Sequence, residues 1–136
     1  MPDTRLIRRV RFRAAHHYAQ PGASPDENRA LFGEQADSHQ HDWSVEVHVV
    51  GPIDPDTGWI TNLGRLDAAL DRIMDGWDGG DLNERVPPVA EGRMQPSTEA
   101  LAAWLYQELG ARVDEPATLD RVRVFESPDL GASHPA

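Results

Sequence analysis

The stretch His39-Gln-His41-Asp-Trp43-Ser-Val45-Glu-Val47-His-Val49 decides the fold of this chain. From Trp43 to Val49 every second residue is apolar, which is the alternation of a β-strand with one buried face. Because residues two apart on a strand point to the same face, the imidazoles of His39 and His41 project together on the side of the core. The stretch therefore predicts a core strand that begins with half of a metal site.

A second strand is predicted from Leu6 to His16. Its even positions are mostly apolar and lead to His16, whereas the odd positions from Arg9 to Arg13 are charged. Antiparallel pairing of the two apolar faces would bring His16 against His39 and His41 at the rim of the core. Three histidines distant in sequence are thus expected to converge.

Three neutral imidazoles with an open fourth position are a common arrangement for catalytic zinc. The chain contains no cysteine, which argues against a closed structural zinc site and excludes disulfides and thiol chemistry. The alternative is a set of core or surface histidines satisfied by hydrogen bonds. For three converging imidazoles we favour a Zn²⁺ site with His16, His39 and His41 as ligands.

Two helices are predicted in the second half of the chain. The first begins near Asn62, which can cap it, and carries an apolar stripe that ends at Trp77. The second follows Ser97 as its cap and ends at Gly110. The apolar positions of the two helices are Leu63, Leu66, Leu70, Ile73 and Trp77, and Leu101, Trp104, Leu105 and Leu109.

A third strand is predicted from Leu119 to Glu126, where Val122, Val124 and Glu126 share a face. The segments Tyr18–Ser38 and Asp78–Gln95 are rich in turn-forming and polar residues and are predicted to be long loops. The order strand, strand, helix, helix, strand indicates an α+β fold, with two helices packed on one face of an antiparallel sheet.

Composition limits the class of function. The 136 residues fit one domain, spanning 1–136, and the net charge of −10 makes nucleic acid and anionic membranes poor partners. No apolar stretch approaches the length of a membrane span, and Met1 to Arg13 lacks the features of a signal peptide. We therefore expect a cytoplasmic protein that acts on a small molecule.

Several short motifs follow one another in an order that resembles one known family. They are Phe12-Arg-Ala-Ala-His16, His39-Gln-His41-Asp-Trp43, Thr57-Gly58, Asp78 with Asp81-Leu-Asn83, Pro96-Ser-Thr-Glu99-Ala-Leu-Ala102 and Val122-Arg-Val-Phe-Glu126-Ser-Pro128. Together they are similar to the 6-pyruvoyl-tetrahydropterin synthases and 6-carboxytetrahydropterin synthases, over almost the whole chain.

The resemblance implies the tunnelling fold (T-fold), in which subunits form trimeric barrels that stack into hexamers, with active sites at subunit interfaces. It implies that His16, His39 and His41 hold zinc and that Glu126 anchors the amino-pyrimidine edge of a pterin. A carboxylate suits that edge because it accepts two parallel N–H bonds. A solvated carboxylate at a strand end is the alternative for Glu126.

The matched segment at the second helix assigns Thr98 and Glu99 to substrate binding. For Glu99 a local role at the start of the helix is the alternative, since acidic residues are favourable near helix N-termini.

The chain also departs from the family pattern. A cysteine that serves as general base in the family has no counterpart in Leu31–Asp37, and the histidine of an aspartate-histidine pair is replaced by Gly79 after Asp78. Asn62 and Gln40 stand where aspartate and glycine are usual. We infer that the usual triphosphate-eliminating reaction is not the one catalysed.

An acidic residue could replace the missing base. The candidates are Glu34, Asp37 and Asp78, with His17 and His134 less favoured. Some relatives use a glutamate in place of the cysteine, and Glu34 lies a couple of residues from its expected position. For each carboxylate the alternative is an ordinary solvated side chain.

Three hypotheses follow. The first is a repurposed zinc-dependent lyase or cyclase that acts on a pterin-like or other small heterocyclic or carbonyl substrate. The second is a non-catalytic protein that binds metal and pterin in the family's pocket. The third, a purely structural oligomer, would leave the retained histidines without a reason.

Overall fold

The computed structural model describes residues 2–136 and contains four strands and five α-helices within that range. The strands are β1 (Thr4–His16), β2 (His39–Gly51), β3 (Thr118–Ser127) and β4 (Leu130–His134). The α-helices are α1 (Pro25–Phe32), α2 (Gly64–Trp77), α3 (Leu82–Arg85), α4 (Pro87–Ala90) and α5 (Thr98–Gly110). A short 3-10 helix covers Gly33–Ala36.

The strands form one antiparallel sheet in the order β1-β2-β3-β4. In the β1–β2 register Val10 faces Val45, Phe12 faces Trp43 and His16 faces His39. The predicted pairing of these strands through their apolar faces is confirmed. The strand β4, which the sequence pattern does not predict, adds an edge beside β3.

The core lies between one face of the sheet and the helices. Trp43, Val45, Val47 and Val49 of β2 are fully buried there. Helix α2 contacts β1, and α5 contacts β3 and β4, so the α+β architecture is confirmed. The predicted helical stripes are buried at Leu66, Leu70, Trp77, Leu101, Leu105 and Leu109, whereas Leu63, Ile73 and Trp104 are partly buried at the margin and Met74 joins the core.

The prediction of two long loops is wrong in part, because each of the two segments contains helices. In Tyr18–Ser38 the helix α1 is preceded by a capping box: the Ser24 hydroxyl accepts the N–H of Glu27, and the Glu27 carboxylate accepts the N–H of Ser24. In Asp78–Gln95 the side chain of Asp81 caps the short helix α3. The predicted cap of α2 is shifted by one residue: the N-cap position is Leu63, which makes no side-chain cap hydrogen bond, and Asn62 just before it accepts the N–H of Gly64.

The opposite face of the sheet buries charge. Glu46 and His48 point away from the helices, yet they are only 3% and 6% exposed. Arginines from β1 and β3 cover them. In residues 2–136 no helix combines the length and apolar character needed to cross a membrane.

Candidate metal centre

The ends of two paired strands bring the three histidines together. His16 is the last residue of β1 and lies opposite His39, the first residue of β2, while His41 lies opposite Ala14. The ring centroid of His16 is 4.6 Å from that of His39 and 5.1 Å from that of His41, and the last two are 4.9 Å apart. The predicted convergence is confirmed.

The Nε2 atoms of the three imidazoles form a common donor set. All three are buried and have no hydrogen-bond partner, and the ligating atoms lie within 4.8 Å of one another. A buried nitrogen without a partner is costly unless something else satisfies it. The donor set therefore fits a divalent metal ion.

Backbone carbonyls fix the orientation of two of these rings. The Nδ1–H of His16 donates to the carbonyl of Pro96 at 2.8 Å, and the Nδ1–H of His39 donates to the carbonyl of Asp37 at the same distance. This tautomer leaves the lone pair of each Nε2 free, as metal-ligating histidines require. The sequence pattern does not predict either carbonyl partner.

Burial keeps the deepest ligand uncharged. The pKa of His16 is lowered to about 4, chiefly by desolvation and also by the nearby imidazoles of His39 and His41, against the raising effect of the Pro96 carbonyl. His16 is therefore neutral at physiological pH. Neutral imidazole is the form that binds zinc, and three imidazoles suit zinc better than magnesium or calcium, which prefer oxygen ligands.

Glu126 extends from β3 to the same point. Its Oε2 lies 3.4 Å from Nε2 of His16 and 3.5 Å from Nε2 of His41, and its side chain is 13% exposed. The alternation of β3 predicts this face, since Val122 and Val124 are buried on it. The structure thus places the predicted substrate anchor directly beside the histidines.

An aromatic wall, formed by Tyr18 and Phe32, borders the histidines. The ring of Tyr18 lies 5.4 Å from that of His16 and stacks on Phe32 at 5.6 Å. The pKa of Tyr18 is raised to about 12, chiefly by burial and also by the negative charges of Glu126 and Glu99. Tyr18 was not predicted as a site residue, although its position two residues after His16 was the available signal.

Thr98 and Glu99 begin helix α5, close to the Pro96 carbonyl that orients His16. Thr98 is buried and its hydroxyl donates to Oε1 of Glu99 at 2.6 Å. That hydrogen bond holds the pKa of Glu99 below its ordinary value. The electrostatic effect of Glu99 on Tyr18 connects this segment with the aromatic wall.

The three acidic candidates for the base lie farther out, and all are exposed. Within residues 2–136 none of their carboxylates approaches a histidine nitrogen within 4.0 Å. Glu34 lies in the 3-10 helix, Asp37 pairs with Arg29 at 2.5 Å, and Asp78 accepts the backbone N–H of Arg13 at 2.9 Å. Asp37 contributes to the site through its backbone carbonyl.

Comparison with known proteins identifies relatives over nearly the full chain. Residues 5–135 match the family model of 6-pyruvoyl tetrahydropterin synthase. The 6-pyruvoyl tetrahydrobiopterin synthase of Homo sapiens is 33% identical over 128 residues, which cover 92% of this chain and 86% of that protein. The Drosophila melanogaster protein of the same name is 32% identical over 130 residues, covering 93% and 76% of the two chains.

Solved structures support the T-fold that the sequence resemblance implies. The structure of Caenorhabditis elegans 6-pyruvoyl tetrahydropterin synthase superposes with a TM-score of 0.83 at 24% identity, covering 98% of this chain and 95% of that one. The Plasmodium vivax 6-pyruvoyltetrahydropterin synthase, solved as a variant of a catalytic glutamate, gives a TM-score of 0.65 at 17% identity, with coverages of 98% and 97%. The chain belongs to the 6-pyruvoyl tetrahydropterin synthase family.

Proposed function

We propose that this protein is a zinc-dependent lyase or cyclase that acts on a pterin-like or other small heterocyclic or carbonyl compound, and not by the family's usual triphosphate elimination. The observation that carries the proposal is the convergence of three buried, unpartnered Nε2 atoms with the carboxylate of Glu126. Buried nitrogens without hydrogen-bond partners lower the stability of the fold, so their presence at a strand end indicates that they bind a ligand.

Each residue near the histidines suits one part of such a substrate. Glu126 can accept two parallel N–H bonds from an amino-pyrimidine edge. Tyr18 and Phe32 offer stacked rings against which a flat heterocycle can pack. A zinc ion held by His16, His39 and His41 would polarise a carbonyl or hydroxyl group of the substrate.

The proton transfers need a base other than cysteine, since the chain has none. We assign this role to one of Glu34, Asp37 and Asp78. A glutamate is a catalytic residue in the Plasmodium vivax protein, which gives a precedent for a carboxylate. Glu34 is favoured here because Asp37 and Asp78 already hold structural partners.

The second candidate function is non-catalytic binding of metal and pterin. It is favoured because Glu34, Asp37 and Asp78 are all exposed. Among the described residues, Glu126 is the one acidic side chain within 4.0 Å of a nitrogen of the three clustered histidines. In this case Glu126 would bind the ligand and no proton transfer would follow.

Substitution of the three carboxylates separates the two candidates. The metal-loaded protein is incubated with pterins and related heterocycles, and binding is followed by calorimetry and turnover by chromatography. For an enzyme, Glu34→Gln, Asp37→Asn or Asp78→Asn should lower kcat by about 100-fold or more while metal content is kept, the usual size of a general acid–base effect. Ligand binding without turnover in the parent would favour the binding protein.

If turnover occurs and all three variants match the parent, the acid–base assignment is wrong. If no pterin binds to the metal-loaded parent, the proposed ligand class is wrong for both candidates. Glu108→Gln, on the exposed side of α5, is the matched control for loss of one negative charge.

We further infer that the protein is a trimer or hexamer with its active sites at subunit interfaces. The sheet ends in two edge strands, β1 and β4. The last part of β1 is bonded to Gly79 and Gly80, but among the described residues the rest of both edges offers backbone groups for pairing with another subunit. His39 and His41 are only partly buried in one chain, so a second copy could complete the enclosure of the site.

A further inference from the structure

We infer that Glu126 is a fourth protein ligand of the metal in the substrate-free protein. The inference rests on the proposed metal site and goes beyond the role of Glu126 as a substrate anchor. It follows from where the carboxylate lies relative to the histidine nitrogens.

The first argument is the chemical character of the converging atoms. The Nδ1–H of His16 is used by the Pro96 carbonyl, so its Nε2 presents a lone pair to Oε2 of Glu126. No hydrogen bond satisfies this Nε2 or that of His41. At His16 two electron-rich atoms therefore face one another without a proton between them and repel, and a cation between them makes the arrangement favourable.

The second argument is the spacing of the atoms. Ligands that surround zinc tetrahedrally at 2.0–2.2 Å lie roughly 3.3 to 3.5 Å from one another. The Oε2 of Glu126 lies 3.4 Å from Nε2 of His16 and 3.5 Å from Nε2 of His41. These distances are those of neighbouring ligands around one zinc ion, and they exceed the usual length of a charge-assisted hydrogen bond.

The third argument is that Glu126 lacks another cation. Its side chain is only 13% exposed, and among residues 2–136 no arginine nitrogen lies within 4.0 Å of its carboxylate. The other buried or half-buried carboxylates on β2 and β3, Glu46 and Asp120, have arginine partners. A buried carboxylate without a partner is costly, and a divalent metal removes that cost.

The backbone of β3 directs Glu126 to this position. The β3–β4 register shifts between Phe125 and Ser127, so Glu126 lies in an irregularity of the ladder. Such bulges bend a strand and re-aim one side chain, and they are common next to active sites. The alternation of β3 puts the carboxylate on the core face, and the irregularity lies at the same residue, near the ends of β1 and β2.

Ligation and substrate anchoring compete for the same carboxylate. An amino-pyrimidine edge needs both oxygens of Glu126 for its two parallel bonds. Binding of such an edge would therefore release Glu126 from the fourth position and leave that position for the substrate. Without substrate, Glu126 would close the site to adventitious ligands.

The test compares zinc affinity in the parent and in Glu126→Gln, by competition with a chromophoric chelator. Glutamine has the same shape but is a poor metal ligand, so we expect affinity to fall about 10- to 100-fold or more. The Co²⁺-loaded forms should also differ in the intensity and position of their visible absorption bands. Asp129→Asn is the matched control, because Asp129 is exposed in the turn after β3 and does not contact the histidines.

Equal zinc affinity and identical Co²⁺ spectra in the parent and in Glu126→Gln would overturn the inference while the three-histidine site stands. Failure of the parent itself to bind zinc would overturn both the inference and the proposed metal site. If Glu126→Gln does not fold, as judged by circular dichroism, Glu126→Asp replaces it, because the shorter side chain withdraws the carboxylate but keeps its charge. The same fall in affinity is expected.

Discussion

Glu46 on β2 is a buried charge that lies outside the metal centre. Its carboxylate accepts the Nε2–H of His48 at 2.9 Å and bonds from Arg9 and from Arg123, the latter at 3.1 Å. Burial alone would raise the pKa of Glu46, but the hydrogen bonds of His48 and Arg9 and the charge of Arg123 hold it below its ordinary value of 4.5. The ionised form is therefore stabilised by folding.

Replacement of Glu46 should reduce stability in a pH-dependent way. We expect Glu46→Gln to lower the free energy of unfolding by about 2 kcal/mol at neutral pH, a moderate loss because both arginines are partly exposed and can be hydrated. Because the pKa is lower in the folded state, this contribution is present above 4.5 and is lost as the pH falls through the folded-state value.

Urea unfolding of parent and variant over a range of pH measures the effect. The difference between the two proteins should shrink as the pH falls below 4.5. Glu108→Gln, at an exposed position of α5 with no ion pair among the described contacts, should change stability by less than about 0.5 kcal/mol. A difference that stays constant down to acid pH would contradict the assignment of a stabilising charge to Glu46.

At the scale of residues, the sequence predicts the position of a side chain correctly where the alternation of polar and apolar residues along a strand is sufficient. Alternation on three strands places His16, His41 and Glu126 on one face, as the structure has them. It cannot reveal the Pro96 carbonyl on the His16 ring, because that contact joins positions 80 residues apart through the start of α5. Nor does it reveal the irregularity at Glu126, which depends on pairing with β4.

At the scale of elements, the long and strongly periodic segments were predicted well. β1, α2 and α5 each bury one regular face, and β2 buries its alternating apolar face against the helices. Helix α1 was missed because its own side chains are not buried and its composition is that of a loop. The remaining signal was local: Ser24 and Glu27 have the spacing of a capping box.

The open edges of the sheet lead to a prediction about assembly. β1 is an edge strand of 13 residues that is covered only at its end, by bonds to Gly79 and Gly80. Ile7 on β1 and Leu130 on β4 are 53% and 55% exposed. Long, open edges are seldom left unpaired in a soluble protein. We expect light scattering to give three or six times the mass of one 15.1 kDa chain, unchanged on dilution through the micromolar range. A mass of one chain throughout would contradict the trimer or hexamer.

At the scale of the whole molecule, the family match and the arrangement of the site residues both support a functional site at one end of the sheet. The family match extends over residues 5–135, and the histidines, Glu126 and the aromatic wall lie together at one end of the sheet. The chain contains no cysteine, so the proposed reaction uses another base. The one-domain organisation and cytoplasmic location stay predictions.

Metal content tests the central claim most directly. The metal content is measured by elemental analysis of the purified parent, of His39→Ala and of His134→Ala. His39 belongs to the histidine cluster, whereas the ring of His134 lies on β4 against Tyr106, so His134→Ala is the control. We expect about one zinc ion per chain in the parent and in His134→Ala, and loss of most of it in His39→Ala. No zinc in the parent, or equal zinc in all three proteins, would contradict the metal centre.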